Sequence, residues 1–182
     1  MSEATERYEL VAAGFDRRVK TVPADKWGAE SPCEGWTARD VVGHVVRNHR
    51  SLAAAATGGE ASELGSEEDP AQAWSEAYAA MLAITKDPAA LSAQTNGPGG
   101  PVPLEQALGT FVSMDTCVHT WDLARAVGED EQLDPGVVQL SWQMLQPMDD
   151  MIRRPGVFGP KLEAPAGADE QTKLLYFLGR QA

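Results

Sequence analysis

The sequence predicts an all-α fold, an all-helical bundle, and three observations predict it. Apolar residues return every three or four positions through successive long segments. Ser, Thr or Asp stands before most of these segments and Gly or Pro after them, which are the start and stop signals of helices. No stretch alternates apolar and polar residues convincingly enough to read as a strand, and no internal repeat is evident.

At 182 residues the chain is long enough for one domain with a substantial core. We expect a single domain over 1–182, with a core bundle at about 4–153 and a tail with a short helix at 155–182. Fifteen Lys and Arg against 27 Asp and Glu give a net charge of −12, which opposes binding to nucleic acid or to an anionic membrane surface. Charges recur through MSEATERYELVAAGFDRRVK, and no run of about 18 apolar residues occurs, so the expected location is cytoplasmic. Two cysteines, Cys33 and Cys117, are too few for a disulfide framework or a cysteine-rich zinc site, and both read as reduced, buried residues.

In chain order, Tyr8, Val11, Phe15 and Val19 mark an amphipathic helix over Ala4 to Lys20. Pro23, Pro32 and Gly35 break Thr21 to Gly35 into a loop. A second helix opens at Trp36, with Thr37 and Asp40 forming a capping box, and runs to Gly58. It carries His44 and His49, which five residues of rotation separate by roughly 140°. The wheel slightly prefers His49 as the buried one, among Val42, Val45, Val46 and Leu52. Thr57 to Asp69, Gly-rich and acidic, reads as a mobile surface loop. Asp69-Pro70 starts a third helix that ends before Pro88. SAQTNGPGGP is turn-rich; with no strand before it and no GKS or GKT after it, a phosphate loop is excluded. A long helix follows over Pro103 to Val127 and stops at Gly128. Asp134-Pro135 starts a fifth helix, kinked at Pro147. Pro155 to Gly167 reads as irregular, and a short helix over Asp169 to Leu178 docks on the body.

The Pro103 to Val127 segment carries charge where an amphipathic helix has core. Its apolar residues Leu104, Leu108, Phe111, Val112, Leu123 and Ala126 form one stripe, and Asp115, His119 and Asp122 fall within it at roughly 0°, +40° and −20°. An unpaired carboxylate in apolar surroundings costs several kcal/mol, so it must be paired, neutralised or bound to a metal. Asp115 and His119 lie one turn apart and supply two of the three protein ligands of an open zinc site. Asp122 would then act as a catalytic positioning group, orienting the His119 imidazole. A plain buried Asp–His hydrogen-bond network is the alternative.

SPCEGWTARDVVGHVV, then MDTCVHTWDLARAVG, then KLLYFLGR, in that order, resemble the actinobacterial branch of the DinB-like superfamily, the group that includes mycothiol-dependent maleylpyruvate isomerase. The resemblance covers nearly the whole chain. It implies a four-helix bundle, here with a short C-terminal helical appendage, and a divalent metal. Carried over by position, the metal ligands are His44, Asp115 and His119, with one face left open to water or a thiolate. That choice overrules the wheel's preference for His49. Many relatives have His or Glu where this chain has Asp115, which brings the metal closer to the helix or weakens its binding. The isomerase also has a separate C-terminal domain that helps form its active site, and residues 128–182 are too few for an equivalent, so its specific activity is not implied.

The resulting expectation is a metal-dependent enzyme of thiol-transferase or isomerase type. The metal is zinc by first choice, because mixed imidazole and carboxylate ligands suit it and no soft thiolate set is available, with nickel second. The cosubstrate implied by the resemblance is mycothiol, a small-molecule thiol, acting on an electrophilic substrate. The chain would work as a monomer or homodimer. Arg39, Arg47 and Arg125 are cationic candidates for gripping an anionic substrate, although a solvated or ion-paired surface role is commoner for such residues. A metal-stabilised sensor or protein-interaction module without catalysis is the alternative from another class.

Overall fold

The computed structural model describes residues 2–97, 99–153 and 158–182. Ser2 and Thr5 close a capping box at the start of α1 (Glu3–Thr21), which has Glu3 and Glu6 in its first turn and Arg18 and Lys20 in its last, as the helix dipole favours. A 3-10 turn (Ala24–Lys26) interrupts the following loop. The Thr37–Asp40 box starts α2 (Ala38–Thr57), and Gly58 ends it at φ +73°, a conformation that favours glycine. Asp69 caps α3 (Pro70–Ile84). Pro88, expected only to stop the preceding helix, opens a further turn, α4 (Pro88–Leu91), because Asp87 caps it.

Two expectations fail next. The turn-rich stretch forms an antiparallel hairpin, β1 (Gln94–Gly97) and β2 (Gly100–Pro103), with Gln94 opposite Pro103 and Thr95 opposite Val102. Prolines argue against strands, but in a two-stranded ribbon both strands are edges, so half the N–H groups need no partner. The long helix is also not continuous. It begins as α5 (Leu104–Ala107), passes through a π segment (Leu108–Val112) with Thr110 at φ −124°, ψ −107°, and resumes as α6 (Ser113–Val127). Close packing at Gly109 accompanies the break. A Cβ there would lie 2.5 Å from Ala4 Cβ, and Arg7 Nη1 donates to the Gly109 carbonyl at 2.6 Å. A π segment of this kind changes the phase of every later residue.

The loop expected to be mobile is tethered. Arg39 Nη2 donates to the carbonyls of Gly65, Ser66 and Glu68, and Arg50 pairs with Glu68. After Gly128 the chain forms α7 (Pro135–Leu145), a 3-10 turn containing Pro147 (Gln146–Met148), α8 (Asp149–Ile152) and, capped by Asp169, α9 (Glu170–Phe177). The first residues of the irregular stretch expected at 155–167, 155–157, lie outside those described.

The four long helices close a ring, α1 against α6 and α3, and α2 against α3 and α6. Their apolar faces meet in one core that includes Tyr8, Phe15, Val45, Trp74, Leu108 and Leu123. The appendage packs a second cluster, Val138, Leu145, Leu174 and Leu178, against Val118 on the outer side of α6. Helix α6 is thus covered on both sides, which explains why Asp122 is fully buried. No helix among the described residues is long and apolar enough to cross a membrane.

Candidate metal centre

Adjacency of α2 and α6 brings His44 to Asp115 and His119. His44 Nε2 lies 3.3 Å from both carboxylate oxygens of Asp115, and His119 Nε2 lies 3.5 Å from Asp115 Oδ1. The donor set suits a metal: four-coordinate zinc with bonds of about 2.0–2.1 Å needs donors about 3.3 Å apart. Both imidazoles present Nε2 to the same point, and the rings sit edge to face with centroids 4.6 Å apart.

Behind this trio lies a buried charged network. His119 Nδ1 donates to Asp122 Oδ2 at 2.9 Å, and Arg180 grips the same carboxylate with Nε and Nη2 at 2.7 and 2.8 Å. The Cys33 thiol donates to Asp122 Oδ2 at 3.3 Å and accepts from Arg180 Nη2 at 3.4 Å. Cys33, His119 and Asp122 also have the spacing of a ligand set, but the guanidinium already supplies the cation there. Trp36 stacks on His119, with centroids 5.9 Å apart and planes 21° apart, and fixes the ring from the open side. Asn48, one turn after His44, donates from Nδ2 to Asp115 Oδ2 at 3.1 Å.

Burial alone would push Asp115 up, yet the charge and hydrogen bond of His119, with His44 adding to them, hold its carboxyl far below the usual range. Burial likewise pushes His119 down, but Asp115 and then Asp122 lift it well above an ordinary histidine. For Asp122, burial is outweighed by the hydrogen bond from His119 and the charge of Arg180, which bring it to about 2. Without a metal, His119 is therefore an imidazolium between two carboxylates. A divalent cation bound at Nε2 would displace that proton and raise the net charge of the cluster by one.

The trio lines one wall of a cleft of about 1000 Å³. Gln94, Thr95 and Asn96 of the hairpin form part of its rim, and Phe158, Leu178 and Arg180 of the C-terminal segment form another. Cys33 also faces this cleft and is only half-buried, against the sequence expectation, because the loop before α2 folds over Asp122 rather than into the core. Cys117 is buried as expected, and its thiol is pushed up to about 12 by burial and by Asp134.

His49 is the buried histidine that the wheel indicates, at 1% exposure. It stands apart from the acids, donates to the Val45 carbonyl at 2.8 Å, and packs edge-on to Trp74. His44 sits at the edge of the helix face and so reaches Asp115. Of the three arginines considered, Arg39 ties down the loop after α2 and Arg125 pairs with Glu131. Arg47 alone reaches the cleft. Sequence reasoning missed Asn48, Arg180 and the place of Trp36. Asn48 lies four residues from His44, which is a usable signal; Arg180 is 58 residues from Asp122 and gives none.

A ring of four helices with a short appendage and a His-Asp-His cluster between α2 and α6 defines a DinB-like protein. The comparisons narrow this further. The chain belongs to the family described as the mycothiol maleylpyruvate isomerase N-terminal domain, whose pattern matches residues 8–124. It is 30% identical over 172 residues, 91% of each chain, to two uncharacterized proteins of Mycobacterium tuberculosis, MT0763 of strain CDC 1551 / Oshkosh and Rv0738 of strain ATCC 25618 / H37Rv. Crystal structures of mycothiol-dependent maleylpyruvate isomerase and of a histidine-to-alanine mutant of it match with a TM-score of 0.57 at 20% and 19% identity. Those matches cover 76% of this chain and 66% of that enzyme, so the chain spans less than two thirds of its length. At such identity the likeness is one of fold.

Proposed function

We propose that this chain is a divalent-metal-dependent enzyme of thiol-transferase or isomerase type, with His44, Asp115 and His119 as the metal ligands and Asp122 as the residue that orients His119. The observation that supports it most is the convergence of three donors, within 4.8 Å of one another, on the wall of an open cleft. A sensor with a saturated ion would need no such cavity beside it. Bound there, the metal would supply Lewis acidity, lowering the pKa of a coordinated thiol or water so that it is a nucleophile near neutral pH.

The chain's own residues do the rest. Asp122 keeps the proton of His119 on Nδ1, so Nε2 is free to coordinate. Arg180 keeps Asp122 ionised, and Trp36 prevents the ring from turning. Asn48 holds the Asp115 carboxylate toward the two imidazoles. Zinc is our first choice and nickel the second. Mycothiol is the proposed thiol, in keeping with the family, and the cleft is large enough for both a thiol and an electrophile. We read residues 1–182 as one domain acting in the cytoplasm.

Metal content decides the reading. Protein purified without chelator or metal-binding tag should hold one divalent ion per chain, and His44→Ala, Asp115→Ala and His119→Ala should each lose it. His49→Gln should keep it. Stoichiometric metal in all three alanine variants would remove the proposed site.

A further inference from the structure

His44 and His119 differ in what faces their second ring nitrogen. At His119 the partner of Nδ1 is a carboxylate oxygen, which accepts. At His44 it is Arg47 Nη2, 3.1 Å from Nδ1, and a guanidinium can only donate. A hydrogen bond from Arg47 therefore requires an unprotonated Nδ1, which puts the ring proton of His44 on Nε2. Three bonds are then satisfied together: Arg47 to Nδ1, Nε2–H to Asp115, and Asn48 to Asp115. The other tautomer would set the Nδ1–H against the charged guanidinium N–H at 3.1 Å and lose the bond from Nε2 to Asp115. It would keep the bond from Asn48 to Asp115 and the 3.0 Å contact from Asn48 Nδ2 to Nε2, which the Nε2–H form opposes.

An imidazole that coordinates a metal through Nε2 carries its proton on Nδ1. The contact from Arg47 and coordination by His44 are thus mutually exclusive. On metal loading the ring's one proton moves from Nε2 to Nδ1 by exchange with solvent, with no net change, and Arg47 must leave. Its side chain is 44% exposed and free to move. Glu63, the other acid near it, is 75% exposed and 3.7 Å away, a pair too open to hold it. The second arginine lining the cleft, Arg180, is 8% exposed and fully engaged by Asp122, Cys33 and the Leu178 carbonyl.

We propose that Arg47 is the anion anchor of this cleft, released from His44 when the metal binds, so that metal and a carboxylate-bearing substrate bind cooperatively. The inference rests on the metal centre proposed above and adds the substrate class to it: an electrophile carrying a carboxylate or a similar anion within reach of the ion. A bidentate Arg–carboxylate pair gives such a ligand orientation as well as affinity.

Calorimetric titration of wild type, Arg47→Met and Arg47→Gln with zinc, and then with succinate as a carboxylate probe, tests it. Arg47→Gln can accept from Nδ1–H and should bind zinc about tenfold more tightly than wild type, in the range by which such partners alter metal affinity; Arg47→Met should fall between the two. Succinate should bind zinc-loaded wild type about tenfold more tightly than zinc-loaded Arg47→Gln, whereas without zinc the two should bind it alike. Equal zinc affinity in wild type and Arg47→Gln overturns the proposal, as does an equal loss of succinate affinity with and without zinc. Zinc uptake by none of the three proteins overturns the metal centre itself and this inference with it.

Discussion

Replacing Arg180 with methionine should destabilise the metal-free protein by about 3 kcal/mol. Asp122 is 0% exposed and Arg180 8%, so solvent screens their pair hardly at all. Truncating one partner of a buried ion pair costs about 3–5 kcal/mol, because the other charge stays buried without compensation. The lower end applies, since His119 still donates to Asp122 Oδ2 while Oδ1 loses its partner. For a chain of this length about 2–4 °C of Tm accompanies each kcal/mol, so the midpoint should fall by about 6–12 °C. Thermal and urea unfolding of chelated protein measure it. The double variant Arg180→Met/Asp122→Asn separates the pair from general damage: with the charge gone on both sides, it should recover about 2 kcal/mol relative to the sum of the single changes. A Tm loss under about 2 °C in Arg180→Met, or simple additivity in the double variant, would refute the account of this network.

Three further outcomes follow from particular contacts. Gly109→Ala would place a Cβ 2.8 Å from the Ala4 backbone, so it should cost about 1–3 kcal/mol of stability and weaken metal binding by shifting α6; Ala4→Gly should restore part of both, and failure to do so would locate the strain elsewhere. Burial lowers His49 to about 4, below the ~6.5 of an unfolded histidine, so its contribution is complete above about pH 6.5 and is lost as the pH falls toward 4. Wild type should accordingly lose about 3 kcal/mol across that window that His49→Gln does not, and a pH-independent difference between them in denaturant titrations would contradict this. Iodoacetamide at pH 8 should label Cys33 in the folded protein and Cys117 only after unfolding, as mass spectrometry of the tryptic peptides would show.

The fold was largely legible because its signals are local. The Thr37–Asp40 box, Asp69-Pro70, Asp134-Pro135 and the glycines after α2 and α6 act within a few residues, and each begins or ends an element where expected. What escaped depends on distant partners. The π segment arises where Gly109 meets Ala4, across more than a hundred residues, and no local pattern records it. The hairpin carries proline and glycine in its strands, which local statistics read as turn.

The same division runs through the candidate site. Asp115, His119 and Asp122 lie within eight residues of one helix, so their shared face is visible in the sequence, even though the helix wheel drawn from Pro103 loses phase at the π segment. The pairing of His44 rather than His49 with Asp115 lay beyond the wheel, because hydrophobic periodicity reports burial while a side chain that meets Asp115 must reach the edge of the core. His49 satisfies the first condition and His44 the second. Arg180 shows the limit most clearly. Asp122 advertises a need for a buried counter-charge, and His119 meets only part of it; the remainder comes from the far end of the chain, carried there by the packing of Leu174 and Leu178 against Val118. The appendage therefore does more than cover α6. With His119, its Arg180 guanidinium holds the Asp122 carboxyl low, and through Asp122 it bears on the orientation of the imidazole that faces the cleft.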